Sequence, residues 1–458
     1  MKGFRGRARH TPDAPAAIGQ RIELQLERLA HDGRGIGRWQ GRIVFVDGGL
    51  PGERVKARVL KARSKLIETR LDTLLVASPE RQTPRCAHID LCGGCSLQHM
   101  PEASQLQVKQ QALAQQLQHF AGLEPERWMP ALLGPAYGYR QRTRLAMRWD
   151  KRLGVLEVGY RQRSSNDLVE VHECPVLVPA LESLVQALVP LLKSLDGRAG
   201  LGHVELTGGD APVILVRHMQ ALSAADSQAL QALADQHGAS CWLQPGEPDT
   251  MHRLNGSHQD LHQSLPAYRL ADQDLRFEFM PGDFIQVNAQ VNQMMVNQAL
   301  EWLAIQPGEQ VLDLFCGVGN FALPLARAGA QVTAVEGSSE MVQRARDNAQ
   351  NNQLESLHFL SADLSKPQYA KWLAQPCDAV LLDPPRDGAE QLVQQLADKA
   401  VGRILYVSCN PATLARDAGL LAGRGYRLVQ VGIMDMFPQT AHVEAMALFV
   451  AGSKVKPV

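Results

Sequence analysis

Three kinds of hydrophobic pattern succeed one another along the chain. From Arg21 to about Leu75 the runs IELQLERL, RIVFVD and ERVKARVLKARSKLIETRLDTLL alternate apolar and polar residues, interrupted by HDGRGIG, DGG and PGE. Alternation of period two between glycine-containing turns predicts short half-buried strands, here closed into a small β-barrel. Barrels of this size commonly offer one face and its loops to oligonucleotides. Residues 101–121, PEASQLQVKQQALAQQLQHFA, carry apolar positions at helical spacing with few breakers, so an amphipathic helix is expected. Between about 125 and 268, strand-like runs (RTRLAMRW, GVLEVGYR, HVELTG, PVILVRH) mix with helical ones, the pattern of an α+β domain. From Leu275 onward QVLDLFCG, AQVTAVEG, SLHFLSADL, DAVLLDPPR and RILYVSCNP are separated by helical stretches, which predicts βαβ crossovers and a mainly parallel sheet. YRLVQVGIMDMF and HVEAMALFV leave no room for a helix between them and are expected as an antiparallel pair at the end of that sheet.

The 458 residues suggest about three domains. The pattern divides them into a flexible basic tail (1–14), the barrel (15–76), a central α+β domain (77–268) and the sheet domain (269–458), with the 101–121 helix expected to pack on the last. An apolar share of 45% with 21% charged residues excludes disorder as a whole-chain description. No apolar run is as long as a membrane span, and the basic start MKGFRGRARHTPDAPA leads into no apolar core, so a cytoplasmic protein without a membrane role is expected. Nothing in the sequence calls for an obligate protein partner. Net charge is zero, yet residues 1–70 hold 16 basic against 7 acidic side chains, and Tyr137–Arg163 hold eight against two. Such asymmetry fits a polyanion-binding face or a merely solvated surface.

Eight cysteines without a secretory signal argue against a disulfide framework. Cys86, Cys92 and Cys95 crowd into CAHIDLCGGCSLQH, whereas Cys174 stands apart in VHECPVL. Three clustered thiols suggest a metal, and thiolate ligands suit tetrahedral zinc as well as iron–sulfur.

VLDLFCGVGNFALPLA reads as strand, glycine turn and helix, so Gly317 and Gly319 let a ligand approach the backbone beside a helix amino terminus. The run also satisfies the dinucleotide pattern GxGxxA, which leaves a dehydrogenase open. Asp313 just before the turn favours another ligand: a carboxylate repels a pyrophosphate but attracts the ammonium of S-adenosylmethionine. Glu336 after the second strand suits ribose hydroxyls, and Asp363 after the third suits an adenine amino group; each could instead be a cap or loop acid. Asp383-Pro384-Pro385-Arg386 and Ser408-Cys409-Asn410-Pro411 follow the fourth and fifth strands, where open α/β sheets bind ligands. Arg386 replaces the aromatic expected of an enzyme that methylates exocyclic amines. Cys409 supplies a different chemistry: a thiolate adding at C6 of a uracil gives C5 enolate character and makes it a methyl acceptor, after which a base must remove the C5 proton. Glu444, an acid in an apolar strand, is the candidate base, although a strand-face charge and an inert buried thiol are the plainer readings of the two residues.

Taken together, DLFCGVGNF, LLDPPRDGA, SCNPATLARD and MFPQTAHVEAMALF, in that order, resemble the RNA (uracil-5-)-methyltransferases, and FIQVNAQ resembles the family's additional cofactor-binding segment. The resemblance implies a class I (Rossmann-like) S-adenosylmethionine-dependent methyltransferase sheet, an amino-terminal TRAM barrel of OB-fold type and a central α+β domain carrying a [4Fe-4S] cluster on Cys86, Cys92, Cys95 and Cys174. It further implies Gln286, Phe315, Asn320, Glu336, Asp363 and Asp383 around the cofactor, Cys409 as nucleophile and Glu444 as base. The barrel and the cysteine quartet together resemble members that act on a specific uridine of 23S ribosomal RNA; a transfer-RNA enzyme and a noncatalytic RNA-binding iron–sulfur protein are the alternatives.

Overall fold

The structure, a computed structural model, describes residues 17–247, 250–255, 265–366, 371–399 and 401–452. The expected basic tail lies outside them. The chain divides into two compact units, one made of the barrel with residues 96–108, the other of residues 84–95 and everything from Lys109 on.

In the first unit, β1 (Arg21–Leu29), β2 (Gly35–Trp39), β3 (Arg42–Asp47), β4 (Arg54–Ala62) and β5 (Leu66–Val76) close a barrel in the order β1-β2-β3-β5-β4. The alternation read in the sequence is its mechanism. Ile22, Leu24 and Leu26 of β1 and Val55, Ala57 and Val59 of β4 point inward, while Glu23, Gln25, Lys56 and Arg58 between them point out. Trp39 packs against this core, and the Arg34 guanidinium lies 4.6 Å from the centre of the Phe45 ring. Buried Glu53 accepts from the amides of Leu50 (2.8 Å) and Ser78 (3.2 Å) and pairs with Arg81, tying the segment after β5 to the barrel.

The expected helix runs as α1 (Glu102–Gln116) and ends in a single π-helical turn, Leu117–Ala121, closed by Gly122 in the left-handed region. Ala112, Leu113 and Leu117 join the core beneath the last sheet. In the second unit, β6 (Arg127–Trp128) is followed by β7 (Arg142–Asp150), β8 (Val155–Arg161), β9 (Leu168–Val169), β10 (Leu201–Thr207), β11 (Val213–His218), β12 (Ser240–Gln244) and β13 (His252–Arg253). β7 to β13 form a sheet of order β13-β12-β11-β10-β7-β8-β9, packed on α2 (Pro179–Ser194) and α3 (Ala224–Gln236). A hairpin, β14 (Ala267–Leu270) and β15 (Leu275–Glu278), then leads to α4 (Ala289–Leu303).

The last sheet comprises β16 (Gln310–Leu314), β17 (Gln331–Glu336), β18 (Leu357–Ser361), β19 (Ala379–Leu382), β20 (Arg403–Ser408), β21 (Tyr426–Met434) and β22 (Glu444–Ala451). Its order is β18-β17-β16-β19-β20-β22-β21-β6, parallel from β18 to β20, with β22 antiparallel to both β20 and β21. Helices α5 (Ala322–Arg327), α6 (Ser339–Asn351), α8 (Glu390–Asp398) and α9 (Pro411–Gly423), with the short α7 (Lys371–Ala374) between the second and third of them, make the crossovers. The order reverses between β16 and β19, and that switch point sits at the carboxyl ends of both strands. One difference from the sequence expectation is the edge: the closing pair does not end the sheet, because β6, two residues from the segment before the central sheet, pairs in parallel with β21.

Candidate active site

The carboxyl edge of the last sheet gathers most of the residues singled out in the sequence. Asp313 lies on β16, fully buried, and its two oxygens meet only the Ala322 amide, in a geometry short of a full hydrogen bond. Burial, reinforced by the charges of Asp383 and Glu336, pushes its carboxyl well above the usual carboxylate range. Phe315 follows with φ +68°, a left-handed backbone that is strained for a bulky residue, while its amide donates to the Val335 carbonyl at 2.9 Å. Gly319, at φ +97°, admits no side chain, since a Cβ there would come within 2.4 Å of Leu323. Glu336 ends β17 and braces the turn, accepting from the amides of Gly317 (3.1 Å), Gly337 (2.7 Å) and Ser338 (3.1 Å). A buried carboxylate lacking strong partners, beside a bare glycine turn, fits a cationic nucleoside such as S-adenosylmethionine and opposes a pyrophosphate.

The second half of the site follows from sheet register. β20 and β22 are antiparallel, and their ladder ends at Ser408 opposite Ala445; Cys409 is the next residue past β20 and Glu444 the next on β22. The Glu444 charge bears on the Cys409 thiol, so the two groups are neighbours at this edge. Burial, with the charges of Glu444 and Asp383, pushes the Cys409 thiol up to about 11, and Arg386 pulls the other way. Burial and Asp383 raise Glu444 well above the carboxylate range, opposed by Arg386 and Lys109. Asp383 directly follows β19, and burial alone pushes it up to about 7. Its charge bears on Asp313, Cys409 and Glu444 alike, so it stands between the two halves of the site.

The loop carrying Arg386 is fastened to the loop carrying Cys409. The Arg386 carbonyl accepts from Asn410 Nδ2 (2.9 Å) and Thr413 Oγ1 (3.2 Å), and the Asp387 carbonyl accepts from Arg416 (3.0 Å). Buried Asp417 accepts from Tyr406 Oη on β20 (2.7 Å), the Ala389 amide (2.9 Å) and Arg416 (2.8 Å). These are the last letters of SCNPATLARD, which the sequence reading left without a task.

The remaining expected cofactor residues separate into two places. Gln286 lines a cleft with Gln141, Gly208, Tyr268 and Asn292. Asn320 faces the same residues: its amide pairs reciprocally with that of Asn292 (3.0 and 2.9 Å), and its Oδ1 also accepts from Tyr268 Oη (2.9 Å). Its side chain is thereby engaged within the protein. Asp363 stands at the rim, half exposed, holding Ser365 and Lys366, and the Ser365 hydroxyl and the Lys366 ammonium keep its carboxyl below its ordinary value.

The cysteine quartet was expected to carry a [4Fe-4S] cluster, and its geometry does not by itself support one: among the described residues no three His, Cys, Asp or Glu side chains, Cys86, Cys92, Cys95 and Cys174 included, are gathered closely enough to hold a metal ion. The four thiols are nevertheless neighbours. Burial pushes Cys174 up to about 12, and Cys95, Cys86 and Cys92 add to it. Burial also raises Cys86, with Cys92 and Glu173 adding. The basic run after Tyr137 is likewise less free than its charge suggested: Arg142 and Arg144 pair with buried Glu205, and Arg148 pairs with Glu157. Lys151, Arg152 and Arg161 are exposed. No helix among the described residues is long and apolar enough to cross a membrane.

Residues 101–451 match the family model for tRNA (Uracil-5-)-methyltransferase, and residues 15–68 match the TRAM domain. A 23S rRNA (uracil(1939)-C(5))-methyltransferase RlmD of Pseudomonas putida is 52% identical, covering 96% of this chain and 96% of its own. The protein of the same name from Pseudomonas aeruginosa is 51% identical over 95% of each. Among solved structures, the Pyrococcus abyssi tRNA (uracil-54, C5)-methyltransferase in complex with S-adenosyl-L-homocysteine shares the fold, with a TM-score of 0.71, 24% identity, and coverage of 94% of this chain and 100% of that one. With a family match over three quarters of its length and half-identical relatives from end to end, the chain belongs to the (uracil-5-)-methyltransferase family.

Proposed function

We propose that the protein methylates C5 of a uridine in 23S ribosomal RNA, the position being the 1939 of its relatives' names, with Cys409 as nucleophile and Glu444 as base. The observation that carries this reading is the end of the β20–β22 ladder, where Cys409 and Glu444 follow the last pair, Ser408 and Ala445, at the sheet edge that also holds the glycine turn and Asp313. S-adenosylmethionine, when bound, supplies the methyl group as an electrophilic sulfonium. Asp313 suits its ammonium, Glu336 its ribose, and Gln286, Phe315, Asn320 and Asp363 the remainder of the nucleoside and amino acid.

The chain's own residues carry the rest. Cys409 Sγ bonds to C6, and the C5–C6 π electrons move toward O4, leaving C5 nucleophilic. C5 takes the methyl group, and the C–S bonding pair stays with the departing thioether. The Glu444 carboxylate then removes the C5 proton, the C5–C6 double bond re-forms and the C6–S bond breaks, returning the thiolate. Asp383, protonated below about 7, can then donate a hydrogen bond to a uracil carbonyl and draw charge off the ring. At rest Cys409 holds its proton and must lose it before addition, while burial and Asp383 favour the protonated form of Glu444 and Arg386 and Lys109 favour the carboxylate that the last step needs.

Within this reading the four thiols bind a [4Fe-4S] cluster that shapes the central part and positions RNA without redox turnover. Such a cluster takes each thiolate on a different iron, so its ligands need not close round one ion, in keeping with neighbouring thiols that do not. The exposed lysines and arginines of the barrel, Lys56, Lys61, Arg63 and Lys65 among them, supply phosphate contacts.

The test is Glu444→Gln with a 23S RNA transcript and S-adenosylmethionine. Addition and methyl transfer proceed while proton removal does not, so a protein–RNA adduct accumulates that survives denaturing electrophoresis and carries the methyl group; Cys409→Ala forms none. A Glu444→Gln protein that turns over normally without adduct removes the residue from the base role. Methylation mapped to transfer RNA in place of 23S RNA would move the substrate.

A further inference from the structure

Lys109 is an ammonium where the pattern of α1 calls for core. Gln105, Lys109, Ala112, Leu113 and Leu117 form the buried stripe of that helix at i, i+4, i+7 and i+8 spacing, and the Lys109 side chain is 1% exposed. Its Nζ donates to Asp435 Oδ1 at 2.6 Å and to the Phe437 carbonyl at 3.0 Å. A buried ion pair of this kind contributes little net stability, because desolvation offsets the attraction, and apolar residues would fill the space as well. Its location is what matters.

Asp435 directly follows Met434, and Met434 is the partner of Glu444 in the β21–β22 register. The pair is therefore anchored at the end of the hairpin where Glu444 stands. The connection that holds it is well fixed: Tyr139 Oη donates to the Pro438 carbonyl (3.0 Å), Thr440 Oγ1 donates to the Phe437 carbonyl (2.9 Å), and Gln439 is fully buried. The charged and titratable groups around Glu444 come from every neighbouring element. Asp383 and Arg386 follow β19, Cys409 follows β20, Lys109 comes from α1, and Asp435 and His442 belong to the β21–β22 connection, with Arg140 bearing on His442. Asp383 opposes the ionised form of Glu444, and Arg386 and Lys109 favour it. Arg386 is exposed, so solvent screens it; Lys109 is buried, so solvent screens it little, and the Asp435 carboxylate that holds it offsets part of its charge.

We propose that Lys109 is a positioning residue of the methyl-transfer site, a buried ammonium clamped by Asp435 and the Phe437 carbonyl whose fixed charge keeps Glu444 ionised for removal of the C5 proton. It acts through Glu444 and makes no covalent step of its own. The inference rests on the assignment of Glu444 as base, and the sign follows: without the ammonium, burial and Asp383 act unopposed from that side, Glu444 holds its proton to higher pH, and the base is scarce at neutrality.

The experiment compares full-length wild type, Lys109→Met, Lys109→Arg and the double variant Lys109→Met/Asp435→Asn. Each is given a 23S RNA transcript and S-adenosylmethionine in single turnovers between pH 6 and 9, and adduct and free methylated RNA are both measured. In Lys109→Met the acid limb of product release moves up by about one pH unit, so release falls roughly tenfold at pH 6.5, adduct accumulates there, and rates converge on wild type near pH 9. Lys109→Arg restores the wild-type profile. The double variant, which leaves no unpaired buried ion should the single one fold poorly, shows the same displaced limb, and S-adenosylmethionine affinity is unchanged in all. An unmoved limb in Lys109→Met and the double variant, or a loss equal at every pH that Lys109→Arg does not repair, overturns the proposal. Glu444→Gln in the same series separates the causes: if it traps adduct while Lys109→Met leaves the limb in place, only the role of Lys109 fails, and if it traps none, the base assignment fails first.

Discussion

Asp383 weakens the resting fold at the pH where the enzyme works, and replacing it by Asn exposes the cost. Burial pushes its carboxyl from 3.8 up to about 7, with no opposing hydrogen bond or charge. Between those values the unfolded chain is ionised while the folded one keeps its proton. Stability therefore falls as pH rises from about 4 to about 7 and is level above, because the folded state binds the extra proton. Three pH units correspond to about 4 kcal/mol at full burial. The side chain keeps some contact with solvent, so the realised cost is on the order of 2 kcal/mol. Asp383→Asn does not titrate, so its advantage over wild type is near zero at pH 4 and grows to that figure by pH 7.5. Urea unfolding at the two pH values measures it, and hydrogen exchange of the β19 and β20 amides assigns it to this sheet. Glu444 and Asp313, also raised, leave a residual slope in both proteins. A stability difference independent of pH, or an Asn variant less stable than wild type at pH 7.5, refutes the argument.

Two further outcomes follow from the thiols. With the Cys409 thiol at about 11, only about one molecule in ten thousand carries the thiolate at pH 7, so alkylation of Cys409 in the ligand-free protein, read by peptide mass, climbs tenfold per pH unit toward 11; a plateau near pH 8.5 contradicts the burial argument. Anaerobically purified protein contains about four irons per chain and no stoichiometric zinc, and Cys174→Ser loses iron together with thermal stability of the second unit, whereas full iron content in that variant excludes Cys174 as a ligand.

The fold was legible wherever one periodicity ruled a segment. Period-two alternation located β1, β4 and β5 because a barrel strand has one dry face and one wet face, and the apolar runs from Val311 to Val407 located the parallel strands because both their faces are covered. β6 was not legible. Two residues, Arg127 and Trp128, have no periodicity, and their pairing with Gln430 and Val431 is decided across some three hundred residues of chain. The π-helical turn at Leu117–Ala121 escaped for a similar reason, since the spacing of apolar residues differs little between a helix and one that widens by a residue in its last turn.

In the site, legibility followed chemistry that a residue carries alone. A cysteine after an apolar strand, an acid within another and glycines between strand and helix announce themselves, and register then brings Cys409 to Glu444. Partnership leaves a weaker trace. Asn320 entered only through the family resemblance, and its amide is committed to Asn292 from α4, a pairing that spacing cannot show. Asp417 looked like an ordinary helix acid, yet it joins Tyr406 of β20 to the Ala389 amide and so fixes the distance between the loops of Cys409 and Arg386. Lys109 did leave a signal, a lone charge on the apolar stripe of α1. Such a charge is tolerable only with a buried partner, and the acid it pairs with, Asp435, stands a single residue beyond the cross-strand neighbour of Glu444. A charge out of pattern on one element thus points, through the ion it must meet, to the charge that does the chemistry on another.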